Sequence, residues 1–188
     1  TEEDMKLDAC LFNHFMLERE DHTTIPNYQN IYQLFISCNI KLEHPHDMLE
    51  WTWIHMAVNA AVISVAGKHG DITNSSEAAR RLMNSVSLLK NVIKVIRETT
   101  KIVASRGVTL SKYYNELWFY KLPSCLSARF MKRMFARNQL TRRIMELHGD
   151  TADLLYICNS VYQTGTTAHV SAPLFYSYMD EITKKLNN

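Results

Sequence analysis

Apolar and polar positions divide the chain into a short mixed start and a long helical remainder. Residues 9–17, "ACLFNHFML", form a compact apolar run rich in aromatics and predict one buried strand. The acidic turn "EREDHTT" follows, and Pro26 opens an amphipathic helix over residues 27–38. "NIKLEH" predicts a second short strand. Asp47 is a good N-cap for a helix running to Gly67 or Gly70, where a glycine supplies the stop. In "TNSSEAARRL", Ser75 or Ser76 with Glu77 behind it reads as a capping box. A long helix over residues 76–105 is expected next, with a candidate break near residues 85–87 and an end at Arg106 and Gly107. Its positions Leu89, Val92, Ile93, Ile96, Thr100 and Val103 recur every three or four residues as a one-sided stripe. Further helices are expected over 110–120, 124–147, 151–167 and 173–186, punctuated by Pro123, Gly149 with Asp150, and Pro173.

The resulting fold class is mainly α: a strand–helix–strand segment over residues 1–45, then a helical bundle over 46–188. Composition agrees, because five glycines and four prolines leave little material for the tight turns of an all-β fold. An apolar fraction of 46% with 21% charged residues is that of an ordinary globular chain. A net charge of +2 gives no global steering toward nucleic acid or an anionic membrane, and neither is expected as a partner. No window of about 18 apolar residues suggests a membrane span. Cys10, Cys38, Cys125 and Cys158 are scattered without a CxxC pair, so reduced, mostly buried thiols of a cytoplasmic protein are expected. The acidic start "TEEDMKLDA" is unlike a signal peptide, and the initial Thr1 fits a piece cut from a longer protein.

Candidate chemistry centres on "WTWIHMAVNAAVISVAGKHG". Positions 55, 59 and 63 advance about 400° per step on a helix and share one face. They read His55, Asn59 and Ile63. Taken alone, the two polar residues are explained by satisfied hydrogen bonds inside a helix interface.

The flanking residues add more. Trp53, His55, Asn59 and Ile63 stand where the ketopantoate reductase family has W-x-K-x-x-x-N-x-x-x-N, which this stretch resembles. "ETTKIVASRGV", with Glu98, Val103, Ala104, Gly107 and Val108, is similar to the family's E-x-x-x-VA-x-x-x-GV helix end. "HVSAPLFYSYMDEI" resembles its closing segment. Counting back from Pro173 without gaps, Asp153 falls on a substrate-holding Glu, and Thr141 and Asn138 fall on a Ser and an Asn. The resemblance covers most of residues 27–186.

It implies a bundle like the C-terminal domain of 6-phosphogluconate-dehydrogenase-like reductases. Residues 1–45 would then be the end of a Rossmann-type domain or a linker, with "ACLFNHFML" the last strand of that domain. It further implies an NADP-dependent oxidoreductase acting on a small-molecule carbonyl substrate. NADP would be bound mainly by an N-terminal Rossmann domain of the same protein, and a homo-oligomer is expected. His55 and Asn59 would be the catalytic pair; Asn138, Thr141 and Asp153 would bind substrate.

Two positions depart from the family pattern. His55 replaces a lysine, exchanging a long permanent ammonium for a shorter imidazole that still serves as a general acid when tuned. Ile63 replaces the second Asn, removing an amide and making the pocket more apolar. A bulkier or less polar carbonyl than ketopantoate, or no reaction, is easier to accommodate. The glycines at 67, 70, 107, 149 and 165 never approach G-x-G-x-x-G, so this chain by itself is not expected to transfer hydride.

Other constellations are weaker. His44, His46 and His55 lack the spacing of a metal site, and no metal is expected. The doublets Arg80 and Arg81, Lys132 and Arg133, and Arg142 and Arg143, with Arg137, read as solvated helix faces or as the border of a cleft for an anionic cofactor. Ser111, Ser124 and Ser127 have no His or Asp partner at nucleophile spacing. The rival reading keeps the fold and drops the chemistry, leaving a non-catalytic dimerisation or partner-binding module.

Overall fold

A computed structural model describes residues 14–147 and 150–187. The mixed start is a small β–α–β unit. Strand β1 (His14–Met16) pairs in parallel with β2 (Lys41–Glu43), in the register His14 to Lys41. Helix α1 (Tyr28–Ser37) makes the crossover. Phe15 meets Phe35 of α1 at 5.6 Å between ring centroids. The expected strand over 9–17 is thus seen at 14–16, and residues 9–13 lie outside the described ones. Phe15 and Met16 are half-buried rather than buried. The unit is joined to the first helix of the bundle by the Glu18 carboxylate, which accepts the Met48 N–H at 3.0 Å.

Nine α-helices are present among the described residues, so the protein is mainly helical. Helix α2 (Met48–His69) starts as expected on Asp47, whose Oδ1 accepts the Glu50 N–H at 2.8 Å. It does not stop at Gly67. That residue lies inside the helix because α9 packs on it: a Cβ there would stand 2.9 Å from Ile182 Cδ1. Gly70 ends the helix, and the Lys185 ammonium donates to the carbonyls of Gly67, Lys68 and Gly70 at 2.9, 2.6 and 3.1 Å. Three final carbonyls, otherwise without helical partners, are satisfied by one cation.

Helix α3 (Ser75–Asn84) begins one residue earlier than the serine cap expected. Asn74 takes that role, its Oδ1 accepting from Glu77 N at 3.3 Å, which leaves Ser75 inside the helix. The long helix expected over 76–105 breaks at Ser85. Its extended backbone ends α3, and its hydroxyl caps α4 (Val86–Ala104) through Leu88 N. Gly107 takes φ +89°, the left-handed turn that closes this helix end.

α4 is the spine of the bundle, packed against α2, α6, α8 and α9. Leu89, Val92, Ile93, Val95, Ile96, Ile102 and Val103 have no measurable exposure. Burial of such side chains stabilises by roughly 1.5–3 kcal/mol each before chain entropy is counted. Thr99, not Thr100, belongs to the buried stripe. Its Oγ1 donates to the Ala57 carbonyl of α2 at 2.8 Å, while Thr100 bonds back to its own helix. Small residues on α2, including Ala57, Ala60, Ala61 and Ser64, allow that close approach.

The remaining helices surround this pair. α5 (Tyr114–Lys121) follows a 3-10 turn at Leu110–Tyr113. Arg97 reaches from α4 to its end, donating from Nε to the Tyr120 carbonyl at 2.7 Å and from Nη2 to that of Leu122. The single helix expected over 124–147 is two, α6 (Ser124–Arg137) and α7 (Gln139–Leu147). Asn138 breaks it, with φ −102° and ψ 91°, and its Oδ1 accepts from Thr141 N at 3.0 Å. α8 (Thr151–Thr167) is capped by Asp150, and α9 (Pro173–Leu186) begins on proline. No side chain at the boundary caps α9. Glu98 of α4 does so instead, accepting the Phe175 N–H at 2.9 Å.

Candidate functional site

Burying the small-residue side of α2 against α4 turns its other side toward α3, α7 and α8. Between these four helices lies a cavity of about 420 Å³, within the range of roughly 300–1,000 Å³ usual for small-molecule sites. α2 lines it with His55, Asn59, Val62 and Ile63, one stripe of a single helix. α3 contributes Ala78, Ala79 and Leu82; α7 contributes Thr141, Ile144 and Met145; α8 contributes Leu154 and Ile157.

Exposure is graded along this wall. Ile72, Ala78, Ala79, Leu82 and Leu154 are buried, and Asn59, Ser75 and Thr141 are half-buried. His55 is exposed. Val62, Ile63, Ile144, Met145 and Ile157 are half-buried as well, so His55 alone marks the solvent side of the wall. The imidazole of His55 is held flat against Trp51, with ring centroids 5.0 Å apart and planes 13° from parallel. Trp53 belongs elsewhere. The Arg106 guanidinium lies over its ring at 3.7 Å, and the indole packs on the smaller core cluster of Ile54, Ala57, Val103 and Tyr113.

Of the residues singled out by sequence, His55, Asn59 and Thr141 come together in this cavity, with Ile63 beside them. Asn138 and Asp153 are exposed and outside its lining. The amide oxygen of Asn138 serves as the cap of α7. Asp153 sits in the first turn of α8, where a carboxylate complements the positive end of the helix dipole. Ile144, Met145, Leu154 and Ile157 were not foreseen as lining. The amphipathic spacing of Thr141, Ile144 and Met145 carried a signal of an inward face, but not of what it faces.

Other groups fall into structural roles. Cys158 is buried on α8, and burial pushes its thiol up to about 12. Cys38 and Cys125 are exposed, contrary to the expected burial, because one follows the end of α1 and the other lies in the outward first turn of α6. His69 has its value pushed down, first by burial and then by Lys68, and its buried Nε2 has no hydrogen-bond partner among the described residues. Among the described residues no three His, Cys, Asp or Glu side chains converge as metal ligands. Nδ1 of His44 lies 3.0 Å from the Leu17 carbonyl.

Nor do the described residues offer a cradle for dinucleotide phosphates. Gly67 and Gly165 are buried inside helices, each against a neighbouring side chain. Gly70 and Gly107 lie just after the C-terminal ends of α2 and α4, where the helix dipole repels anions. No helix among the described residues is long and apolar enough to cross a membrane.

No protein-family model matches this chain, and no match is found among curated proteins or solved structures.

Proposed function

We propose that the chain is the substrate-binding helical domain of a ketopantoate-reductase-like, NADP-dependent oxidoreductase working in the cytoplasm on a carbonyl compound. One observation carries the reading: His55, Asn59 and Thr141 line a single cavity of small-molecule size. A carbonyl placed there would meet an imidazole that, once protonated, gives its proton to the carbonyl oxygen as an imidazolium and is left neutral, and a carboxamide on the same wall that can donate a hydrogen bond to that oxygen. Thr141 supplies a further hydroxyl. These residues bind and orient; none of the described glycines forms a phosphate cradle, and in this reading NADP is held mainly by an N-terminal Rossmann domain of the same protein. The β1–α1–β2 unit supports this, since parallel strands are ordinarily covered on both faces and α1 leaves Leu34 and Ile36 exposed.

The test follows NADPH oxidation by the complete protein against a panel of carbonyl compounds. His55→Ala is expected to lower kcat by about 10²–10⁴-fold, the usual share of a general acid, with the thermal midpoint unchanged. Undiminished reduction by that variant removes His55 from the mechanism.

A second reading, a non-catalytic dimerisation or partner-binding module, is favoured by a different face. Trp118 of α5 and Leu126, Phe130 and Met134 of α6 are large apolar side chains left exposed, the last three at successive helical turns.

A further inference from the structure

From the chemistry of the cavity wall, and resting on the reading of His55 and Asn59 as carbonyl-facing groups, we propose that its substrate is a neutral, aliphatic carbonyl compound rather than a keto acid. The carbonyl sits toward His55 and Asn59 and the hydrocarbon extends between α3, α7 and α8.

Three observations converge. First, among the described residues no Lys, Arg, Asp or Glu lines the cavity. A substrate carboxylate would leave water with no permanent counter-charge to meet it, at a heavy desolvation cost. Second, two basic side chains on α3 and α7 are directed to other partners. Arg80 and Arg142 both pair with Glu146 at 3.2 Å, and Arg142 also donates to Asn84 at 3.1 Å. Third, one backbone N–H near the start of each of α7, α3 and α8 is already in use. Asn138 takes Thr141 N, Asn74 takes Glu77 N and Asp150 takes Ala152 N. What lines the cavity is one imidazole, one carboxamide and two hydroxyls among aliphatic side chains, which suits a single carbonyl oxygen and an alkyl chain.

A matched pair of ligands tests this on the 188-residue chain. Methyl hexyl ketone and α-oxo-octanoate differ only in methyl against carboxylate beside the same carbonyl. Titration by calorimetry, with methyl NMR signals of Ile63, Ile144 and Ile157 as a site readout, is expected to show the ketone saturating those signals. The oxo acid should bind at least tenfold more weakly. Ile63→Lys places a cation on the half-buried wall and should reverse the order. Equal or tighter binding of the oxo acid by the unaltered chain, absence of ketone binding, or an order unmoved by Ile63→Lys each overturns the proposal. Failure of the enzymatic reading looks different. Ketone binding without NADPH oxidation by the complete protein supports the pocket assignment and removes the reductase. Preferential reduction of oxo acids keeps the reductase and overturns the assignment.

Discussion

Replacing Lys185 by Met removes the cation at the end of the helix that carries the site. Its ammonium donates to three carbonyls in and just past the last turn of α2, those of Gly67, Lys68 and Gly70, at 2.6–3.1 Å. Charged hydrogen bonds of this kind are worth roughly 1.5–3 kcal/mol when shielded, and cations at exposed helix ends about 0.3–1 kcal/mol. Two of the three contacts are exposed, so water replaces part of what is lost. The methionine keeps most of the hydrocarbon stem, which limits the change to the charge and its bonds. The net cost is about 1–2 kcal/mol, and at ~2–4 °C per kcal/mol for a chain of this length the thermal midpoint should fall by roughly 2–8 °C. Circular dichroism melts of Lys185→Met beside Lys184→Met make the comparison. Lys184 is exposed and has no hydrogen-bond or ion-pair partner among the described residues, so its loss should move the midpoint little. Equal midpoints for the two variants would show that the three carbonyls are served as well by water, and the reasoning would fail.

Two further outcomes are expected. Thiol labelling of the native chain should modify Cys38 and Cys125 quickly but reach Cys158 only on unfolding, because that thiol is buried and its pKa is pushed up to about 12; mass spectrometry of labelled peptides reads this directly. His69 should make stability fall as pH drops. Burial holds its folded value below the ordinary 6.5, so the unfolded chain takes up a proton first and stability is lost below that pH, by at most about 1.4 kcal/mol per pH unit. Urea melts at pH 7 and pH 5 should show His69→Phe losing less than the unaltered chain; parallel losses would refute the assignment.

Much of the architecture could be read locally. Asp47, the α4 stripe and Pro173 each declare an element through its own chemistry, and each stands where expected except that Thr99 takes the place of Thr100 in the stripe. Asn138 did not declare itself, because strong helix formers such as Arg137, Gln139 and Leu140 on both sides outweigh one residue in a propensity reading. Only its cap on Thr141 reveals the break. The same limit governs the site. Helical arithmetic puts His55, Asn59 and Ile63 on one face, but nothing in that count says that Ile144 and Leu154 will stand opposite. That depends on how α7 and α8 are laid across α2, which is a property of the packed bundle. The cap of α9 by Glu98, 77 positions away in sequence, is invisible for the same reason.

Helix α7 has no fully buried side chain, and Glu146 clasps it to α3 through Arg80. One side of the cavity is therefore held by an ion pair together with the half-buried Met145, whereas the side formed by α2 is held by fully buried side chains of the interior. Such a wall yields to a larger guest at small expense, while the spine of the bundle keeps its shape.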